Sequence, residues 1–221
     1  MTKPRSRFHR VARPLLIALP VLLVVAAGFL WWVFSGSLAV IDGARALPGL
    51  GADVVVERDR LGTVSIDARD ETDALRALGF VHAQERYFEM DLLRRSAAGE
   101  LAELFGQRAL ATDRARRAHR LRARAELIAE TLSAPERARF EAYTAGVNAG
   151  LAALRSRPWP YLLLRQQPKP WRTEDSALAV FAMFFDLNDS RNRRELERWQ
   201  MRNGLGDALF ALLTHGGSEW D

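Results

Sequence analysis

Apolar positions along this 221-residue chain follow several distinct patterns, each predicting a different element. Leu15 to Phe34 reads LLIALPVLLVVAAGFLWWVF, twenty positions without a charge. At ~1.5 Å per helical residue such a run spans ~30 Å, the thickness of a bilayer's hydrocarbon layer. Asp53 to Asp67 sets Val, Thr and Ile clusters on either side of a polar DRLG turn, which predicts a β-hairpin. From Glu71 the period changes. Leu75, Leu78, Val81, Tyr87, Phe88 and Leu92 recur at three- and four-residue steps, predicting a long amphipathic helix. Gly79 inside it costs ~1 kcal/mol relative to alanine, so close packing is expected there. An arginine-rich second helix is expected over Thr112 to Leu132. A third begins at Pro135, with Phe140, Tyr143, Val147 and Leu151 on one side. Trp159 to Pro170, punctuated by proline, reads as a loop. Thr173-Glu174-Asp175 reads as a helix start, a Thr N-cap followed by two acids at the positive end of the dipole. This fourth helix contains ALAVFAMFF, apolar on every side and so expected to be buried, before turning polar at Asp186.

These patterns divide the chain into a basic stretch (1–14), an apolar segment (15–34), a spacer containing Gly, Ala and Ser (35–52) and a mainly helical body with one short hairpin (53–221). Charge sharpens the division. The formal charge is +5, and Lys3, Arg5, Arg7, Arg10 and Arg13 all precede residue 15; the remaining Lys and Arg match the 27 acids in number. The body is therefore formally neutral, and no nucleic-acid partner is expected, since such binding needs a clustered basic face. Arginine before the apolar segment and Asp42 after it orient the N-terminus to the cytoplasm, and Trp31 and Trp32 sit where indoles favour a membrane interface. Three readings are open: an inner-membrane anchor carrying the body in the periplasm, a signal segment cut near Ser35-Gly36-Ser37 that releases it there, or a buried helix of a soluble protein. The chain has no cysteine, so disulfides and thiol chemistry are excluded.

Chemistry-bearing motifs are sparse. Of the four histidines (His9, His82, His119 and His215), no two stand at i, i+3 or i, i+4, so no zinc site is expected. His82, within the long helix, reads as a hydrogen-bonded structural residue. No phosphate loop, dinucleotide fingerprint or Gly-x-Ser-x-Gly elbow occurs, and no organic cofactor is expected.

The stretch from Gly79 to Gly106, GFVHAQERYFEMDLLRRSAAGELAELFG, is too particular for generic helix. Its Gly79, His82-Ala83-Gln84-Glu85-Arg86, Met90, Arg94-Arg95 and Ala98 to Glu103, closing on Gly106, resemble the N-terminal signature of the penicillin acylase family, a branch of the N-terminal-nucleophile hydrolases. Arg58-Asp59 and Gly62 fit the same pattern, although Val64 stands where proline is common. The approach PKPWRTEDSALA, Pro168 to Ala179, also resembles that family.

The resemblance implies the α-subunit part of an αββα fold, completed by a downstream β-subunit of the same precursor. It implies an amidohydrolase that cleaves a linear acyl amide through an acyl-enzyme, its serine nucleophile lying downstream, so that no catalytic residue is expected here. The substrate implied is a small acylated amide. A gap-free match sets Glu195 on a glutamate that ligates a structural Ca²⁺. It also sets Phe185, Asn188 and Asp189 where the first subunit lines the acyl pocket. Read without the family, Glu195 is a surface acid paired with Arg191 or Arg198. Ser218, in Gly217-Ser218-Glu219, resembles a self-cleavage junction only superficially and reads as a turn serine. The alternative function is a membrane-anchored, non-catalytic helical scaffold derived from that family.

Overall fold

The computed structural model describes residues 7–188 and 193–214, without the side chains of 7–19. Helix α1 (Arg7–Ser35) contains the uncharged run, and from Pro20 to Trp32 every residue is exposed. Among the described residues no helix is long and apolar enough to cross a membrane. The expected spanning segment is therefore not found in them; the side chains of 15–19, which complete the run, lie outside that set.

The hairpin is present. Strands β1 (Val55–Arg58) and β2 (Val64–Asp67) pair antiparallel, Val56 opposite Ile66 and Arg58 opposite Val64. Asp59 shapes the turn by accepting from Leu61 N and Thr63 N, each at 2.8 Å, and Gly62 takes the left-handed φ of 82° that the corner requires. Arg58 then pairs with Glu85 at 2.5 Å, fastening the hairpin to the next helix.

Helix α2 (Glu71–Ala98) is the spine of the body. Asp70 caps it, accepting from Asp73 N at 2.9 Å, while the buried Asp73 carboxylate receives Gly51 N and Ala52 N from the spacer. Arg86 departs from helical geometry (φ −142°, ψ 28°) and kinks the helix midway. Gly99 ends it at φ 71°, and a side chain there would also strike Asp113 O. After α3 (Ala102–Phe105) come α4 (Leu110–Arg117), α5 (Leu121–Thr131) and α6 (Ala134–Ala152), the last opened by Ser133, Pro135 and Glu136. Glu136 accepts from both Ser133 N and Ser133 Oγ, at 2.9 and 2.6 Å.

Helices α2 and α6 cross on glycine, as expected at Gly79. A Cβ on Gly79 would collide with Tyr143 O, one on Gly146 with Arg76 O, and one on Gly150 with Phe80 O. All three obstacles are backbone, so the helices would have to part. Gly146→Ala should therefore destabilise the protein by about 1–3 kcal/mol, although alanine alone favours helix by ~1 kcal/mol. Gly204→Ala, in a later helix with nothing within 4 Å, should be neutral or stabilising. Thermal melts of the two variants in the full-length protein check the contrast.

Several expected boundaries shift. The arginine-rich helix breaks in two between α4 and α5, where Arg120 is left-handed at φ 54°. Within Trp159 to Pro170, expected to be loop, a short helix α7 (Trp159–Leu164) forms. Pro160 fits its first turn, where the missing N–H leaves no bond unmade. Helix α8 (Asp175–Leu187) starts one residue later than a Thr173 cap would place it, with Glu174 at the N-cap. Nor is it fully buried: Leu178 is covered, but Val180, Met183, Phe184 and Leu187 are 54–77% exposed. Its polar continuation is a separate helix, α9 (Arg193–Leu213). Two cores result, one of Ala83, Tyr87, Met90, Leu104, Val147, Tyr161 and Trp171, the other of Ala97, Ala98, Leu121, Ala125 and Leu178.

Candidate functional site

The position of α8 is set by buried charge. Asp91 and Asp175 are wholly buried. Asp91 sits three and four residues before Arg94 and Arg95, and its Oδ1 accepts from both Nε atoms at 2.7 and 2.8 Å. Its Oδ2 accepts the Tyr161 hydroxyl. Arg94 reaches on to Asp175 Oδ2 at 2.5 Å and to the carbonyls of Lys169 and Pro170 at 2.7 and 2.9 Å. Asp175 Oδ1 receives Arg122 from α5 at 2.7 Å, and Arg122 also grips Glu100 through two nitrogens. Arg94 further stacks over Trp171, 5.1 Å from its centroid. The first residue of α8 is thus bolted to both α2 and α5.

Electrostatics follow the contacts. Burial pushes the Asp175 carboxyl up, but Arg94, Arg122 and the Arg172 N–H outweigh it and hold the group below its usual range. Burial drives the Tyr87 phenol up to about 12, and Tyr161 is raised by burial and by Asp91 beside it. His82 is pushed down, first by burial and then by Arg86; its Nδ1 lies 3.0 Å from the Tyr143 hydroxyl across the α2–α6 crossing. That is the structural place expected of it.

The far end of α8 carries two of the residues expected to touch substrate, Phe185 and Asn188. Phe185 is half-buried against the second core, with the Arg116 guanidinium 4.0 Å from its ring centroid and the His119 ring at 5.0 Å. Asn188, one turn on, is the exposed C-cap, and its Nδ2 donates to Phe184 O at 2.8 Å. Asp189, His215 and Ser218 lie outside the described residues. Glu195 is exposed in the first turn of α9. Among the described residues no three acidic or histidine side chains gather to hold a metal. One carboxylate fits a hard cation such as Ca²⁺ only as a contributor, because that ion takes six to eight oxygens.

Sequence reading missed the Asp91–Arg94–Asp175–Arg122 network. One signal was available: two adjacent arginines inside an otherwise amphipathic helix, with an acid three and four residues before them. It missed Arg116 over Phe185 as well, for which the pattern held no sign.

Comparison with known proteins fits this arrangement. Residues 53–220 match the family model for penicillin amidase. The chain is 43% identical over 137 residues to the penicillin acylase 2 proenzyme of Pseudomonas sp. strain SE83, covering 62% of this chain and 18% of that protein. It is 38% identical over 196 residues to the acyl-homoserine lactone acylase QuiP of Pseudomonas aeruginosa, covering 87% of this chain and 23% of the relative. The chain thus spans about a fifth of the length of these curated relatives. In structure it resembles a thermostable penicillin G acylase from Alcaligenes faecalis, with a TM-score of 0.60 at 27% identity, over 75% of this chain and 93% of that one. By its signature helix, its hairpin and this match across nearly all of the body, the chain belongs to the penicillin amidase family.

Proposed function

We propose that this chain is the N-terminal part of an exported acylase that cleaves a linear acyl amide, with its serine nucleophile on a segment downstream of Asp221. The observation that carries the reading is the family match over residues 53–220 in a chain spanning only a fifth of its relatives. A relative named as a proenzyme supports a precursor cut into subunits. Serine at a new N-terminus can use its own α-amino group, pKa near ~8, as general base to attack the amide carbonyl; water then hydrolyses the acyl-enzyme. In this scheme the downstream subunit completes the αββα layers and covers the exposed apolar flank of α8.

This chain's share of the work is positioning. Phe185 and Asn188 line the acyl pocket at the end of α8, whose start the buried aspartate holds, and Asp189 is assigned to the same pocket by the family resemblance alone. The uncharged run 15–34, behind five basic residues, exports the body to the periplasm as a retained anchor or a cleaved signal. Glu195 offers one carboxylate to a Ca²⁺ whose other ligands come from downstream. An ion held by both parts stabilises only their assembly, by about RT ln(1 + [Ca²⁺]/Kd). In the full-length protein Glu195→Gln should weaken calcium affinity and impair maturation, with excess calcium partly restoring it, whereas Glu197→Gln should do little. Equal maturation and equal melting of both variants, with calcium or chelator, would make Glu195 an ordinary surface acid.

A further inference from the structure

The carboxy-terminal end of α1 is bound into the body. Ser156 Oγ donates to Val33 O at 2.8 Å and Ser156 N to Gly36 O at 3.0 Å. A Cβ on Gly36 would sit 2.9 Å from Ser156 Oγ, so the two segments are in close contact. Ser37 is buried, its hydroxyl donating to Phe34 O at 2.7 Å, and Val40 N donates to Gln84 Oε1 of α2 at 3.1 Å. The apolar helix therefore meets the body at a hydrogen-bonded joint.

Around that joint large apolar side chains face outward. Trp31 and Trp32 end the uncharged run, and Leu38 just past it is 62% exposed. Trp159 and Leu163 stand four residues apart, on one face of α7, and are 49% and 65% exposed. Leu38 and Trp159 line one shallow cavity of ≈ 450 Å³, and Arg155 lines another beside Ser35 and Gly36. The same stretch holds Arg155, Arg157 and Arg165, and no acid occurs between Glu141 and Glu174. Asp42 lines the cavity of Arg155, and Glu85 and Glu89 line that of Leu38 and Trp159, so the charge here is mixed. Exposed indole and leucine with arginines among them, next to the end of an apolar helix, match the chemistry of a phospholipid headgroup layer.

We propose that residues 154–165, with α7 at their centre, form a second membrane contact that lies in the headgroup layer of the bilayer holding α1. The proposal rests on the anchor reading of residues 15–34, and its test separates the two. Since the chain has no cysteine, one introduced cysteine takes a nitroxide label uniquely. The full-length protein is placed in nanodiscs of equal parts phosphatidylcholine and phosphatidylglycerol, labelled in turn at Leu163→Cys, at Val24→Cys on α1 and at Glu130→Cys on α5. Collision with lipid-soluble oxygen is then compared with collision with an aqueous nickel chelate. The Leu163 label should favour oxygen severalfold, as the Val24 label does, and the Glu130 label should favour nickel. A lipid-facing Val24 label with a nickel-accessible Leu163 label would overturn the contact and leave the anchor standing. A nickel-accessible Val24 label would overturn both. A Leu163 label shielded from both probes would mean that protein covers this face, which also overturns the contact.

Discussion

Asp175→Asn should lower the stability of the full-length protein by about 3–5 kcal/mol, among the larger losses a single substitution produces. The asparagine keeps the size of the side chain but removes the charge shared by Arg94 and Arg122. Both guanidiniums then face a neutral amide in a site where the aspartate is wholly buried. The exposed pair of Glu71 with Arg139, 2.8 Å apart, gives the contrast: Glu71→Gln should change stability by no more than about 1 kcal/mol. The pH dependence has a definite sign. Asp175 is held below its ordinary value of 3.8 in the folded state. Its contribution is therefore present above the unfolded pKa and is lost as pH falls through the folded one. The gap between wild type and Asp175→Asn should hold at neutral pH and narrow below about pH 4. Denaturant midpoints at neutral and acid pH measure it; a gap that is small at neutral pH, or that widens in acid, would contradict this account of the network.

The second large effect concerns activity. Residues 1–221 produced alone should hydrolyse no acyl amide above background, whereas the full-length protein should turn over. A nucleophile with its base and an oxyanion hole supply most of the rate in acyl transfer, and loss of a single oxyanion donor already costs ~10²–10³-fold. The helices described here present hydrogen-bonded arginines and carboxylates but no such constellation. Turnover by the isolated chain, abolished by Ser218→Ala, would move the nucleophile into this segment and overturn the proposed division of labour.

Much of the helical frame was legible because its signals are local. Asp59 and Gly62 marked the hairpin corner, the three- and four-residue apolar steps marked α2, and Pro135 marked the start of α6. Gly79 announced a close crossing, although its partners Gly146 and Gly150 lie on another helix and could not be paired with it in advance. Other features were hidden for physical reasons. The break before α5 falls at left-handed Arg120, with neither glycine nor proline to announce it. Pro160, Pro168 and Pro170 suggested a loop, yet proline in a first helical turn, as at Pro160, serves a helix equally well. Helix α8 reads as apolar on every side whether or not this chain supplies its cover, so its exposed flank could not be foreseen. Asp175 was taken for a first-turn acid because Arg94, which it grips, is 81 residues away. Phe185, Asn188, Asp189 and Glu195 were placed by family pattern. The structure adds the contacts at Phe185 and Asn188 and the exposure of Glu195.

The proposed division of labour is tested most directly by the covalent state of the mature protein. The gene is expressed in full, with residues 15–34 retained. The purified product is then treated with a serine-directed sulfonyl fluoride, and the mass and N-terminal sequence of each chain are determined. Two chains are predicted, the second starting with serine and carrying the adduct on that residue, with the adduct and the amidase activity disappearing together when it is replaced. A single uncut chain that still turns over, or an adduct located within residues 53–221, would contradict it.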